Sequence, residues 1–292
     1  MTLTYALPFS VASNNLTRGP VNAQRTAYET DMTGVNALAD ALSVSSSMKK
    51  LNIWDNKIGV KGATAIVDAA PAQMRTLCGD MLEEGQTKAD LSGKKLGPAG
   101  IILVAWDLRA GFVSNSMTSV NLAGNNIAGV RDEPGVKAIA NAICQSGSLL
   151  SIDLSTNNMD AECAQLLAGA LNVSTTMTSL NLADNKMFGV KDKSGIQAFT
   201  EAVRNSTTLT ALDISKTGLS AKDAPIIAQA LSVSSSMTSL NLAGNTPTYN
   251  ATTSNFNDMT GVKAIADALS VSSSMTSLKS EPALICQQSS LD

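Results

Sequence analysis

Few residues of this chain can do chemistry, and their spacing decides what they can do. Histidine is absent from all 292 positions. That removes histidine-based triads, most zinc sites and the side chain that shuttles protons near neutral pH. Cys78, Cys144, Cys163 and Cys286 are scattered and form no CxxC pair, which argues against a zinc knuckle or a redox couple. Buried free thiols are the simpler reading, although Cys144 and Cys163 fall in successive helical stretches and could be neighbours. The adjacent carboxylates Glu83 and Glu84 offer acid–base groups without a third partner. SGKKLG lacks the spacing of a phosphate loop, no GxGxxG follows a strand, and GxSxG does not occur. No cofactor and no metal is implied. What remains is the chemistry of a surface.

Composition narrows that surface further. Charged residues make up 15% of the chain, with a formal net charge of -3, and no lysine–arginine cluster forms a basic face for nucleic acid. Hydrophobic residues at 44% can build a sizeable core, and no run approaches the length of a membrane span. The start MTLTYALPFSVASNN has no positive leader region and is broken by Pro8. It reads as mature protein, and a cytoplasmic location is favoured. The sequons at residues 15, 172, 205 and 250 read as incidental in a chain rich in Asn, Ser and Thr.

The elements that must position any site come from a repeat. MTSVNLAGN at 117, MTSLNLADN at 177 and MTSLNLAGN at 237 recur every sixty residues. Aligned on L-x-L-x-x-N, nine strand candidates begin at 9, 51, 89, 120, 152, 180, 212, 240 and 278, because alternating apolar residues place one set of side chains on one side. Helical spacing follows, as in GVKAIANAI at 135–143, CAQLLAGAL at 163–171 and APIIAQAL at 224–231. A strand–turn–helix unit of about 28 to 32 residues cannot hide its apolar face alone, so units must stack. Strands pack about 4.8 Å apart and helices about 8–10 Å apart, which bends the stack with its parallel sheet inside. The residue closing each strand, Asn56, Asn125, Asn157, Asn185 or Asn245, can both donate and accept, and so can bridge the backbone groups of the inward turn. Lys94 and Thr217 interrupt that column, so those turns are expected to be looser or held by another bond.

LNLAGNNI followed by GVKAIANAI resembles the leucine-rich repeat, specifically the ribonuclease-inhibitor-like class with a true helix in every repeat. The resemblance implies an α/β curved solenoid, or horseshoe, with a parallel β-sheet on the concave face and α-helices on the convex face. It also implies a single domain over 1–292 of about nine βα units, acting as a non-enzymatic protein-recognition or scaffold module. The two alternating strand types fit that class. One carries Asn between the apolar residues (Asn52, Asn121, Asn181, Asn241) and the other Asp (Asp90, Asp153, Asp213). Within the family, Ran GTPase-activating protein supplies an alternative: activation of a small GTPase, with Arg131 as the place to look for the contact.

The partner expected is another protein of unknown identity. Candidate contacts on the concave row are Trp54, Asp55, Asp184, Asp213 and Lys216, with Trp54 foremost because hot spots favour tryptophan. Its alternative is to pack under an insert. Inserts at 17–30 and 246–257 carry Tyr28, Tyr249 and Phe256, either as anchors for a partner or folded onto their own repeats. The charged loops at 127–136 and 187–196 read as solvated surface or as a contact ridge. An irregular unit is expected near 71–110, where Pro71 interrupts the pattern and Trp106 lies in the most hydrophobic run. Both ends look thinly capped, with KSEPALICQQSSLD the only material after the last strand, so association through the ends is a further expectation.

Overall fold

A computed structural model describes residues 9–12, 16, 32–54, 56–110, 113–128, 133–188, 193–246 and 258–280. Among them, strands alternate with helices along the whole chain. The strands are β1 (Phe9–Ser10), β2 (Leu51–Asn52), β3 (Lys88–Asp90), β4 (Ser119–Asn121), β5 (Ser151–Asp153), β6 (Ser179–Asn181), β7 (Ala211–Asp213), β8 (Ser239–Asn241) and β9 (Ser277–Lys279). The helices are α1 (Thr33–Ser43), α2 (Gly59–Ala69), α3 (Gly97–Ala110), α4 (Pro134–Gln145), α5 (Ala161–Val173), α6 (Ser194–Asn205), α7 (Ala224–Val233) and α8 (Thr260–Val271).

All strand pairs are parallel, with β1 beside β2 and β3 through β9 forming a second, unclosed sheet in chain order. Each helix packs on its sequence neighbours, which gives the side-by-side solenoid that the repeat length demands. The class is α/β, a leucine-rich-repeat horseshoe with the sheet inside and helices outside. In strands β4 to β8 the middle residue is buried and its two neighbours are half-buried, so one apolar side chain per strand points to the helices. Leu180 and Leu182 are both buried in the core.

The doubled period has a packing cause. A Cβ added to Gly135 of α4 would lie 2.7 Å from the Ile127 carbonyl oxygen and 3.1 Å from the Cα of Pro98 in the preceding unit. One added to Gly195 of α6 would lie 2.5 Å from the Ala161 carbonyl oxygen of α5. Glycine at the start of α4 and of α6, absent from the start of α5 and α7, thus lets the backbone close onto the helix before it.

The irregular unit is resolved in detail. Helix α2 ends at Ala69, before Pro71, whose ring forbids continuation. The chain then extends, and residues 76–78 lie against β2 through bridges Lys50 to Thr76 and Asn52 to Cys78. A short 3-10 turn at Gly79–Met81 follows in place of a full α-helix. Helix α3 is covered here as well as by its neighbouring helices, so every residue from Gly100 to Leu108 is buried, Trp106 among them at 7% exposure. That is why its sequence is apolar all round.

Candidate functional site

The recurring nine residues can be assigned one by one. Met117, Met177 and Met237 are buried in the core. The threonine that follows each of them, and those that follow Leu209 and Met275 at the same place, donate the hydroxyl to a carbonyl of the preceding unit: Thr118 to Thr87, Thr178 to Leu150, Thr210 to Thr178, Thr238 to Thr210 and Thr276 to Thr238, at 2.9–3.1 Å. The last residue of each strand from β2 to β8 then accepts, through Oδ1, from the amide two residues on. This holds for Asn52, Asp90, Asn121, Asp153, Asn181, Asp213 and Asn241 at 2.9–3.1 Å. Such a local acceptor turns the chain without a ladder partner, and either amide or carboxylate can serve.

The alternation of Asn and Asp adds a cross-strand bond. Asn181 Nδ2 donates to Asp153 Oδ2 at 2.8 Å, and Asn241 Nδ2 donates to Asp213 Oδ2 at 2.7 Å. A row of like carboxylates on neighbouring strands would repel; amide next to carboxylate converts repulsion into a bond. Asp213 is therefore held by three donors: the Ser215 amide, the Ser215 hydroxyl and Asn241.

Beneath this row runs the buried column. Asn157 Nδ2 donates to the carbonyls of Leu122, Leu154 and Ser155, while its Oδ1 accepts from the Asn125 and Ile127 amides. Asn185 repeats the pattern on Leu154, Leu182, Ala183, Asn157 and Met159. Asn125 and Asn245 do the same for Leu91, Leu122 and Leu96, and for Ile214, Leu242, Thr217 and Leu219. Asn56 donates to Val11, Ile53 and Trp54. At Thr217 the hydroxyl takes over, donating to Ile214 at 2.7 Å. The turn at Lys94 is held from outside, because Asn125 accepts from the Leu96 amide.

Asp184 and Lys216 are exposed and occupy the left-handed turn position, with φ of 57° and 53°. Gly124 and Gly244 hold the same place in their units. Gly244 also makes room for its neighbour, since a Cβ there would lie 2.5 Å from Lys216 Cγ. The stem of exposed Lys216 thus lies against the turn of the next repeat.

Trp54, read as an exposed contact or as packed under an insert, lies between the two. It is half-buried, and a Cβ on Gly100 would meet its ring at 3.0 Å, so the indole leans onto α3. The irregular unit leaves a gap between β2 and β3, and a glycine on α3 opens space for the ring. Asp55, Tyr28, Tyr249, Phe256 and Arg131 lie outside the described residues, as do most of the two inserts and the tail from 281. The structure thus brings Asp184, Asp213 and Lys216 onto adjacent units, while Trp54 stands half-exposed against α3.

Two polar clusters escaped the sequence. In the irregular unit, fully buried Asp107 of α3 accepts from the Thr76 hydroxyl at 2.6 Å and the Leu77 amide at 2.8 Å. Burial pushes its carboxyl up to about 6, against the lowering by those donors. Burial likewise raises the Cys78 thiol, with the neighbouring Asp107 charge adding to it. Cys78, Cys144 and Cys163 are free thiols. The second cluster joins Lys193 to Asp223 of the next unit, Nζ to Oδ1 at 2.6 Å, with the carboxylate fully buried. Lys193 was expected among solvated loop charges; it serves instead as a strut, because Asp223 buried in the helix entrance needs a counter-charge.

Among the described residues, no group of three or more His, Cys, Asp or Glu side chains could hold a metal. None of the described helices is long and apolar enough to cross a membrane. On the concave side, a shallow depression of about 210 Å³ opens over β6 to β9, bordered by Ser179, Asn181, Asp213, Ser239, Asn241 and Lys279.

The repeat chemistry agrees with comparison to known proteins. The family model described as Leucine Rich repeat matches residues 44–67 and 173–191, so the chain carries leucine-rich repeats. No match is found among curated proteins. Similar solved structures include LegL7, a leucine-rich repeat-containing protein of Legionella pneumophila, 18% identical over 94% of this chain and 85% of that one, with a TM-score of 0.43. Actin-binding site 2 of leiomodin-1 is 23% identical, covering 53% of this chain and 82% of that one, with a TM-score of 0.38. The tropomodulin C-terminal domain of Caenorhabditis elegans is 14% identical, covering 53% and 83%, with a TM-score of 0.39.

Proposed function

We propose that the chain is a non-enzymatic recognition module whose concave sheet face receives another protein, within the ribonuclease-inhibitor-like class of leucine-rich repeats. The observation that carries this is the held state of the concave row. Its side chains are half-exposed, yet Asp153, Asn181, Asp213 and Asn241 are fixed in place by bonds to the backbone and to one another. Polar groups already ordered lose little entropy when a partner docks. The class assignment is supported by the α-helix in each of the regular units and by the two alternating strand types. For the GTPase-activator alternative, Arg131, the place to look for the contact, lies outside the described residues.

The test places bulk on the row. Ala183→Arg and Ala243→Arg put a long cation where small half-buried residues stand, while Gln229→Arg on the exposed side of α7 serves as control. Capture of partners by the purified protein, read by mass spectrometry, should lose the same protein in both concave variants and keep it in the control. A partner set identical in all three variants would refute concave recognition.

A further inference from the structure

The charges of the concave row are spaced, and the spacing selects an occupant. Register pairing aligns Asp90, Asn121, Asp153, Asn181, Asp213, Asn241 and Lys279 as one line across β3 to β9. Carboxylates therefore stand on every second strand, at β3, β5 and β7. Two parallel strand spacings amount to about 9.6 Å.

An extended β-strand presents like-facing side chains about every 6.8 Å and falls out of step with that interval. A polyproline II helix has three residues per turn at about 3.1 Å each, so every third side chain faces the same way about every 9.3 Å. The match is within a few tenths of an ångström per interval. Each carboxylate keeps acceptor capacity, since an ionised carboxylate offers about four lone-pair sites and Asp153 spends one on the Ser155 amide and one on Asn181. Hydrogen bonds from Ser92 hold the Asp90 carboxyl below the usual range, keeping it ionised. The small neighbours Ala123, Ser155, Ala183 and Ser215 let a backbone approach. Exposed Lys279 closes the line at β9 and would repel a fourth cation, which sets the count at three.

We propose that the concave sheet takes a polyproline II segment of a partner protein carrying Lys or Arg at every third position, one cation on each of Asp90, Asp153 and Asp213. This rests on the concave-recognition reading above. A nucleic acid would be repelled by the same three charges, and an apolar helix would find no greasy surface among Ser, Asn and Asp.

Fluorescence anisotropy with a labelled nonapeptide of three Lys-Pro-Pro units, against an isomer with its three lysines contiguous, tests the spacing. The periodic peptide should bind about tenfold more tightly, from three exposed charge pairs of modest strength each, and its affinity should fall with added salt. The triple variant Asp90→Asn, Asp153→Asn, Asp213→Asn should abolish that preference, because the amide keeps the turn-holding acceptor and removes the charge, at the loss of the cross-strand bonds from Asn181 and Asn241. Circular dichroism melting checks its fold, and the single Asp153→Asn variant, expected to weaken the preference, gives the same readout if the triple variant is unstable. Equal binding of the two isomers, or a preference that survives in the variants, would overturn the proposal. If neither peptide binds while the arginine substitutions still abolish partner capture, concave recognition stands and the polyproline II occupant falls.

Discussion

The regular array from β4 to β8 and the irregular unit between β2 and β3 solve one problem by different means. In both, the chain turns at the end of a strand and strips backbone groups of partners. The regular units answer locally, with a buried amide such as Asn157 that satisfies its own turn and the one before it. The irregular unit has no such residue after Cys78. Its amide at Leu77 and its Thr76 hydroxyl are satisfied by Asp107, which arrives from α3 some 30 residues later. The difference teaches that the fold requires a buried polar group with the right valence, and the asparagine column is its cheapest local supply. A carboxylate brought from a distance works, but it carries a charge into the core.

Breaking the local solution should cost most. Asn157→Ala takes the acceptor from two buried amides and one donor from each of three carbonyls that keep another, and should lower stability by about 4 kcal/mol in urea unfolding, given roughly 1–3 kcal/mol per unsatisfied buried amide. Because each unit touches only its neighbours, the single transition should also broaden or split. The distant solution should show itself through pH. Asp107 folds with its carboxyl raised from 3.8 to about 6 by burial, so the folded state holds its proton longer than the unfolded chain. Its contribution is fully present below pH 4 and is lost as pH rises to about 6, a change on the order of 3 kcal/mol. Asp107→Asn removes this titration, so the stability difference between variant and wild type should shift in the variant's favour across that window and stay flat above it.

Smaller effects sharpen the contrast within the regular array. Gly195→Ala forces a methyl against the Ala161 carbonyl at 2.5 Å and should cost about 2 kcal/mol by thermal unfolding. Thr238→Val removes one hydroxyl bond to Thr210 and should cost about 1 kcal/mol. Gly169 lies in α5 with nothing within 4 Å of an added Cβ, so Gly169→Ala should stabilise by about 0.7 kcal/mol.

What the sequence revealed follows from period. Strand and helix positions recur at fixed intervals, and L-x-L-x-x-N carries both the sheet register and the reason for Asn125 and Asn157. Features that join two units were harder to see. The threonine just before each strand gives no sign that it bonds a carbonyl one unit back, because that partner is about 28 to 38 residues away. Residues 76–78 lack the alternating apolar pattern, so nothing in their sequence announces an extended segment. One signal was present: Asp107 is the lone acid inside IILVAWDL, and a charge within so apolar a run announces a buried partner. For Trp54, strand alternation alone does not decide between exposure and packing, because its neighbour in the next unit is the irregular one.

Amide hydrogen exchange tests the central claim most directly, that a single buried side chain closes the turns of two adjacent units. Asn157→Ala should release the amides of Asn125 and Ile127, whose acceptor it removes, while the amide of Asn157 itself stays protected by Asn185. Unchanged protection at residues 125 and 127 in a folded variant would contradict it.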